Sequence, residues 1–305
     1  MASAYASGNY TDETYVTSQF AAGIQDNIFL LNKRVLLVGG ARFDDIQNAG
    51  AVDNYAKTEG LSTGVTNWVY KASGVFFPLP TRDVSLFVNY SQTFTPEYGT
   101  TFPGSGVQLK PLQGVAKEVG IKAELFNSQL IGTFSYFHDE LDNNPIFYLI
   151  NGRNIAVQNG VAKFPGYDAD VTWKINDNFA VLLAVSDVNS SQVDGDGFRN
   201  AQIGFNSKGL IRYTFSRDTA LKGLAIGVGV KEIAKRYGSN NDSYLIPGYT
   251  DVDAFATYTF ARHWRLQANV YNVTNTQAVL SALGNLVYNY AVWPINCNFS
   301  VKFTY

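Results

Sequence analysis

The chain of 305 residues has one cysteine, Cys297, which excludes an intrachain disulfide and any Cys-rich metal centre. It has two histidines, His138 and His263, so metal-ligand and general-base chemistry has few groups to draw on. Charged residues make up only 16% of the chain and the net charge is −2, which leaves neither a basic field for nucleic acid nor an acidic tail. No apolar run approaches the roughly 18 residues that a membrane-spanning helix needs. The longest obvious candidate is Phe179 to Val185. Helical periodicity is almost absent, and the opening M-A-S-A-Y-A-S-G-N-Y has no basic segment followed by an apolar one, as an export signal would.

Aromatic residues are abundant instead, with 19 Tyr and 21 Phe, and they sit in stretches that alternate two by two. The closing stretch is the clearest. Ile295, Cys297, Phe299, Val301, Phe303 and Tyr305 fall on one face, and Asn296, Asn298, Ser300, Lys302 and Thr304 on the other. Such a strand at a chain terminus needs partners, and outer-membrane barrels close on a strand of this kind with an aromatic last residue. Val119, Ile121, Ala123 and Leu125 alternate with Glu118, Lys122 and Glu124, and Tyr167, Ala169, Val171, Trp173 and Ile175 alternate with Asp168, Asp170 and Lys174. Each strand has an apolar face and a charged one.

Strands are expected near 14–29, 34–45, 67–78, 83–95, 115–126, 129–141, 161–175, 179–189, 204–216, 222–236, 249–261, 264–274 and 293–305. The connections at 31–33, 80–82, 127–128, 176–178, 217–221 and 262–263 read as tight turns, whereas 46–66, 96–114, 142–160, 190–203, 237–248 and 275–292 read as long loops rich in Gly, Asn and Tyr. Short turns at one end and long loops at the other are the periplasmic and extracellular ends of a transmembrane barrel. A soluble sandwich has no reason to keep that rhythm. The expected fold is all-β, a transmembrane antiparallel β-barrel.

Several motifs occur in order. Gln25-Asp26 is followed by Gly40-Ala41-Arg42-Phe43-Asp44; then come Asn89-Tyr90-Ser91-Gln92-Thr93-Phe94-Thr95-Pro96, Leu109-Lys110-Pro111, Glu118-Val119-Gly120-Ile121-Lys122 and Gly166 with Asp170. The series continues through Gly223 to Gly229, Tyr237-Gly238, Pro247-Gly248-Tyr249 with Asp253, and Asn269-Val270 to Asn275. In this order and rhythm the chain resembles the carboxy-terminal part of the barrel of TonB-dependent receptors, most closely the ferric-siderophore type. Thr93 stands where that family more often has Ser, and Asp168 replaces a Glu. The resemblance implies a barrel of roughly 22 strands, about 13 of them here, with an amino-terminal plug in its lumen. It implies a cell outer membrane location in a Gram-negative bacterium and a multi-pass barrel in contact with lipid. It also implies import of a ferric siderophore driven by the TonB energy-transducing complex acting on the plug, no resident cofactor beyond iron carried in the chelate, no nucleic-acid partner and no enzymatic activity.

Neither a plug, a coupling segment nor a signal peptide is seen ahead of residue 1, so residues 1–305 are expected to be the carboxy-terminal part of a receptor barrel whose function belongs to a full-length parent. An open strand edge at Tyr15 to Phe29 cannot stand in lipid alone. Binding candidates are aromatic residues of the long loops, Tyr98, Phe102, Phe147, Tyr148, Tyr244, Tyr288 and Tyr290, with Arg153 to attract an anionic chelate. The blander reading of each ring is interfacial girdle or loop packing, and of Arg153 a solvated charge. His138, beside Asp139 and Glu140, has the types for general-base or metal work but lies near the outer end of a strand, where a polar residue is ordinary. Gly223, Ala225, Gly227 and Gly229 precede no helix, which excludes a phosphate-binding fingerprint and leaves a strand smooth enough for a plug to approach. Uptake of another large nutrient, such as a cobalamin or a glycan, fits the same architecture; a passive porin would need a charged constriction loop, which is not seen.

Overall fold

A computed structural model describes residues 13–53, 58–59, 63–96, 109–150, 153–193, 204–237, 245–261, 263–283 and 288–304. Tyr98, Phe102 and Tyr244 lie outside the described residues, as does Tyr305. The main strands are β1 (Glu13–Leu30), β2 (Val35–Asp53), β3 (Thr63–Phe76), β4 (Val84–Thr95), β5 (Leu112–Leu125), β6 (Leu130–Ile150) and β7 (Arg153–Lys174). They are followed by β8 (Phe179–Val188), β9 (Phe205–Thr214), β10 (Leu224–Ile233), β11 (Tyr249–Phe260), β12 (Trp264–Tyr271) and β13 (Asn296–Phe303). These thirteen form one sheet in chain order, each antiparallel to the next. The alternation places most of their bounds within a few residues, because a period of two identifies a half-buried strand.

The register separates two faces. Val88, Val119, Tyr136 and Tyr167 form one cross-strand row, and the adjacent row is Asn89, Glu118, Phe137 and Gly166. On the polar face Asn89 Nδ2 donates to Glu118 Oε2 at 2.9 Å. On the apolar face Val88 is 53% exposed, Val119 50%, Tyr167 52% and Phe299 74%. Only seven hydrophobic residues among those described are buried. A sheet of this size that keeps its apolar side chains outside and its charges inside has the polarity of a membrane barrel wall, not of a soluble core.

Aromatic residues gather toward both ends of the apolar face. Trp264 and Phe303 have ring centroids 4.8 Å apart and Phe179 and Tyr213 4.9 Å apart at the short-turn end. Tyr136 and Tyr167, 5.0 Å apart, and Phe43 and Trp68, 5.2 Å apart, lie toward the long-loop end. Amphipathic rings at two levels are interfacial girdles.

Several expectations change. Much of 46–66 is strand, since β2 runs to Asp53 and β3 begins at Thr63. The segment 142–160 is not an irregular loop: β6 and β7 continue as a paired ribbon to Ile150↔Arg153, with the register shifting around Asn144 and Asn143 at φ 60°. The Asp142-Asn143-Asn144-Pro145 run marks a bulge, and the apolar Ile146-Phe147-Tyr148-Leu149-Ile150 run resumes the strand. The segment 275–292 likewise holds a short ribbon, Val279–Leu283 paired with Tyr288–Ala291. Nor is the polar face of β10 left smooth. Gly227 pairs with Phe255, and a Cβ at Gly227 would lie 2.3 Å from that ring. Gly120 stands under Phe87 and Gly166 under Phe137 in the same way, each glycine directly opposite its phenylalanine. The glycines make room for cross-strand rings.

Candidate functional site

The outer end of the sheet, where the long connections lie, gathers the described binding candidates on two ribbons. Phe147 pairs with Ala156 and Tyr148 with Ile155 in the β6–β7 ribbon, and Arg153 pairs with Ile150 next to its tip. On the second ribbon Tyr288 pairs with Leu283 and Tyr290 with Ser281. Tyr290 is 54% exposed.

The second ribbon is fixed to the wall by two residues that the strand pattern alone did not single out. Arg236, 6% exposed, donates from Nη2 to Val279 O at 3.0 Å and also to Leu280 O. Asn272, 2% exposed, donates from Nδ2 to Thr276 O at 3.0 Å and Trp293 O at 2.9 Å, and accepts from Thr276 N at 2.7 Å. Its own N–H donates to Asp253 Oδ1 at 2.9 Å. One side chain thereby closes both ends of the 272–293 excursion against β11. The Asn-rich motif from Asn269 to Asn275 was the available signal for Asn272. For Arg236 the only hint was a cation next to Tyr237-Gly238.

Above the outer girdle, Lys117, His138, Glu140 and Lys163 share the apolar side of the wall, in register with or next to Tyr90, Tyr136 and Tyr167. Charges on that side mark where hydrocarbon ends. His138 Nε2 meets Glu140 Oε1 at 2.9 Å, and Lys163 Nζ lies 3.7 Å from the same oxygen. The His138 hydrogen bond, and then the Lys163 and Lys117 charges, hold the Glu140 carboxyl below its usual range. Asp139, on the lumen-side face between them, is pushed up by burial and by Glu118. Among the described residues no group of three or more His, Cys, Asp or Glu side chains is placed to hold a metal ion.

The raised Asp139 fixes the sign of a pH effect. Its ionised form is disfavoured in the folded state, so its burden is full above the folded pKa and absent below the unfolded one, about 3.9. Asp139→Asn is expected to raise the unfolding midpoint at pH 7 and to lose that advantage near pH 3.5. An equal advantage at both pH values would show that the carboxyl's charge is not the cause.

The comparison with known proteins follows this geometry. A family model described as TonB dependent receptor-like, beta-barrel, matches residues 2–273. The chain belongs to the TonB-dependent receptor β-barrel family. The metal-pseudopaline receptor CntO of Pseudomonas aeruginosa is 28% identical over 264 residues, covering 83% of this chain and 36% of the relative. Among solved structures, the P. aeruginosa receptor FpvA bound to heterologous pyoverdines superposes with a TM-score of 0.78 at 19% identity, over 97% of this chain and 39% of that one. The siderophore receptor PiuA of Acinetobacter baumannii gives 0.78 at 18% identity, over 96% and 44%. The chain thus spans about a third of the curated relative and well under half of the solved chains. As a member of this family it is an outer-membrane β-barrel chain of Gram-negative type, and the polar face of its sheet is the lumen wall.

Proposed function

We propose that the chain forms the carboxy-terminal part of the barrel of an active importer of ferric siderophores, driven by TonB through a plug domain. The observation that carries this reading is the family match over residues 2–273, and paired ribbons at the long-loop end whose sequences carry aromatic residues support it. Siderophore or siderophore-like cargo is what the similar receptors are named for, as metal-pseudopaline or pyoverdine receptors. The cargo reaches the lumen past Phe147, Tyr148, Arg153, Tyr288 and Tyr290, together with Tyr98, Phe102 and Tyr244 of the remaining loops. Flat rings pack against an apolar or aromatic chelate, and Arg153 complements an anionic one. Iron enters only as cargo, and no resident cofactor is required.

The test is uptake of radioiron-labelled chelates by cells carrying the complete gene, with and without TonB. Uptake of at least one siderophore is expected to fall to background when TonB is removed. Undiminished uptake would replace the importer with a passive pore, and exclusive uptake of a cobalamin or a glycan would keep the machine but change its cargo. Tyr290→Ala is expected to weaken uptake at limiting chelate about fivefold, the equivalent of about 1 kcal/mol for one ring. Unchanged uptake would assign Tyr290 to loop packing.

A further inference from the structure

The lumen wall is not closed by hydrogen bonds everywhere. The β3–β4 ladder runs only from Lys71↔Ser91 to Phe76↔Leu86, although β3 begins at Thr63 and β4 continues to Thr95. Outward of Lys71 each strand stays paired on its other side, β3 with β2 through Asn48↔Thr63 and β4 with β5 through Thr95↔Leu112. At the fork Tyr70 N donates to a side chain, Gln92 Oε1, at 3.3 Å, and Gln92 Nε2 donates to Tyr90 Oη at 2.7 Å. A cavity of about 310 Å³ opens beside this fork, bordered by Gln25, Arg42, Lys71 and Ser91 and by the apolar Ile24 and Val69.

Two cations border it, and each is held differently. Arg42 donates from Nε and Nη2 to Asp44 Oδ1 at 3.0 and 2.6 Å, and Gln19 Nε2 donates to the same oxygen at 2.9 Å. Asp44 is 2% exposed while the Arg42 side chain is 54% exposed, so a buried carboxylate fixes the guanidinium and leaves its remaining donors uncovered. Lys71 lies across a glycine: a Cβ at Gly40 would stand 2.9 Å from Lys71 Cε. Among the described residues Lys71 has no carboxylate within ion-pair distance. Gln25, Gly40, Lys71 and Ser91 form a single cross-strand row, so amide, ammonium and hydroxyl groups share one level of the lumen wall.

We infer that this cavity is a carboxylate-binding pocket, with the Lys71 ammonium as its charge, the Arg42 guanidinium as an oriented donor and the Ser91 hydroxyl as a further donor. The charge balance selects the ligand. Asp44 already neutralises Arg42, so one net positive charge remains, which one singly charged carboxylate cancels and a phosphate dianion would exceed. The carboxylate comes either from an Asp or Glu side chain of the receptor's own polypeptide inside the lumen or from a small free acid, and the assignment does not depend on which cargo the receptor imports.

The complete gene product, purified from outer membranes in detergent at constant ionic strength, tests both sources. A free acid predicts a saturable rise in thermal midpoint with acetate relative to chloride. Lys71→Gln weakens the half-saturation at least ~10-fold, and Lys71→Arg stays within ~3-fold of the parent. An internal side chain predicts instead an amide cross-link from Lys71 to one Asp or Glu on carbodiimide treatment, located by mass spectrometry. Lys71→Gln leaves the Gln19, Arg42 and Asp44 contacts intact, so it separates loss of the pocket from loss of the fold. Neither an acetate response nor a cross-link in the parent protein would overturn the assignment, and so would an acetate response that Lys71→Gln leaves unchanged.

Discussion

Alanine at Gly120, Gly166 or Gly227 is expected to cost the barrel about 3 kcal/mol each, the upper part of the range for overpacking. The added methyl has nowhere to go. At Gly120 it would stand 2.4 Å from the Phe87 ring and 2.6 Å from Phe134 O, and at Gly227 2.3 Å from the Phe255 ring and 2.7 Å from Ile211 O. The ring alone could turn aside, since it is a side chain; the carbonyl belongs to the ladder and cannot. This distinction gives the prediction its sharpest form. Phe87→Ala is expected to rescue Gly120→Ala only partly, because the Phe134 carbonyl stays where it is. The measurement is the urea midpoint of the refolded, lipid-embedded receptor, read from the shift between folded and unfolded bands on unheated gels. Full rescue by Phe87→Ala would mean that the ring, and not the neighbouring backbone, sets the glycine requirement.

These pairs show what could be read from residue order and what needed the register. The alternation of Val119, Ile121 and Ala123 with Glu118 and Lys122 was enough for a two-faced strand, because side-chain direction in a strand follows a period of two whatever the fold. The opposition of Phe87 to Gly120 was not legible, because it depends on how two strands separated by a long loop align. The same limit hid the pocket at Lys71: its Gln25, Gly40 and Arg42 belong to motifs visible in the chain, but the end of the β3–β4 ladder that opens the cavity is a property of pairing. The outer loops misled for a local reason. Asp142-Asn143-Asn144-Pro145 has turn chemistry, and here it makes a bulge inside a long ribbon rather than a loop. As a result Phe147, Tyr148 and Arg153 stand on ordered strands, which makes their spacing at the mouth a matter of register. That Tyr288 and Tyr290 lie on a paired ribbon, and that Arg236 fastens it, follows from pairing and tertiary contact.

Asn272→Ala is expected to have the largest local effect at the mouth. The substitution removes the side chain that satisfies Thr276 O, Trp293 O and Thr276 N in a site that is 2% exposed, and it leaves the backbone at φ 51°, where alanine is strained. The groups left without a partner are only part-buried, so each costs about 1 kcal/mol, the lower end of the range for an unsatisfied group, and the combined loss is on the order of 3 kcal/mol. The cost is concentrated in the excursion between β12 and β13, not spread through the sheet, because the lost bonds close that excursion while the β11–β12 and β12–β13 ladders remain. Opening of the Val279–Ala291 ribbon should rise on the order of 100-fold, read as the rate of protease cleavage within it, with the detergent-resistant barrel band retained. Two further substitutions separate the causes. Asn272→Gly removes the strain but not the lost hydrogen bonds, so it should recover only part of the cleavage resistance. Asn272→Asp keeps the shape and the acceptor for Thr276 N but turns a donor toward two carbonyl oxygens into an acceptor, and it should open the ribbon at least as much as alanine at pH 7. If Asn272→Asp protected the ribbon as well as asparagine does, the donor bonds to Thr276 and Trp293 would not be what holds the mouth in place, and the anchoring role would pass to Arg236 alone.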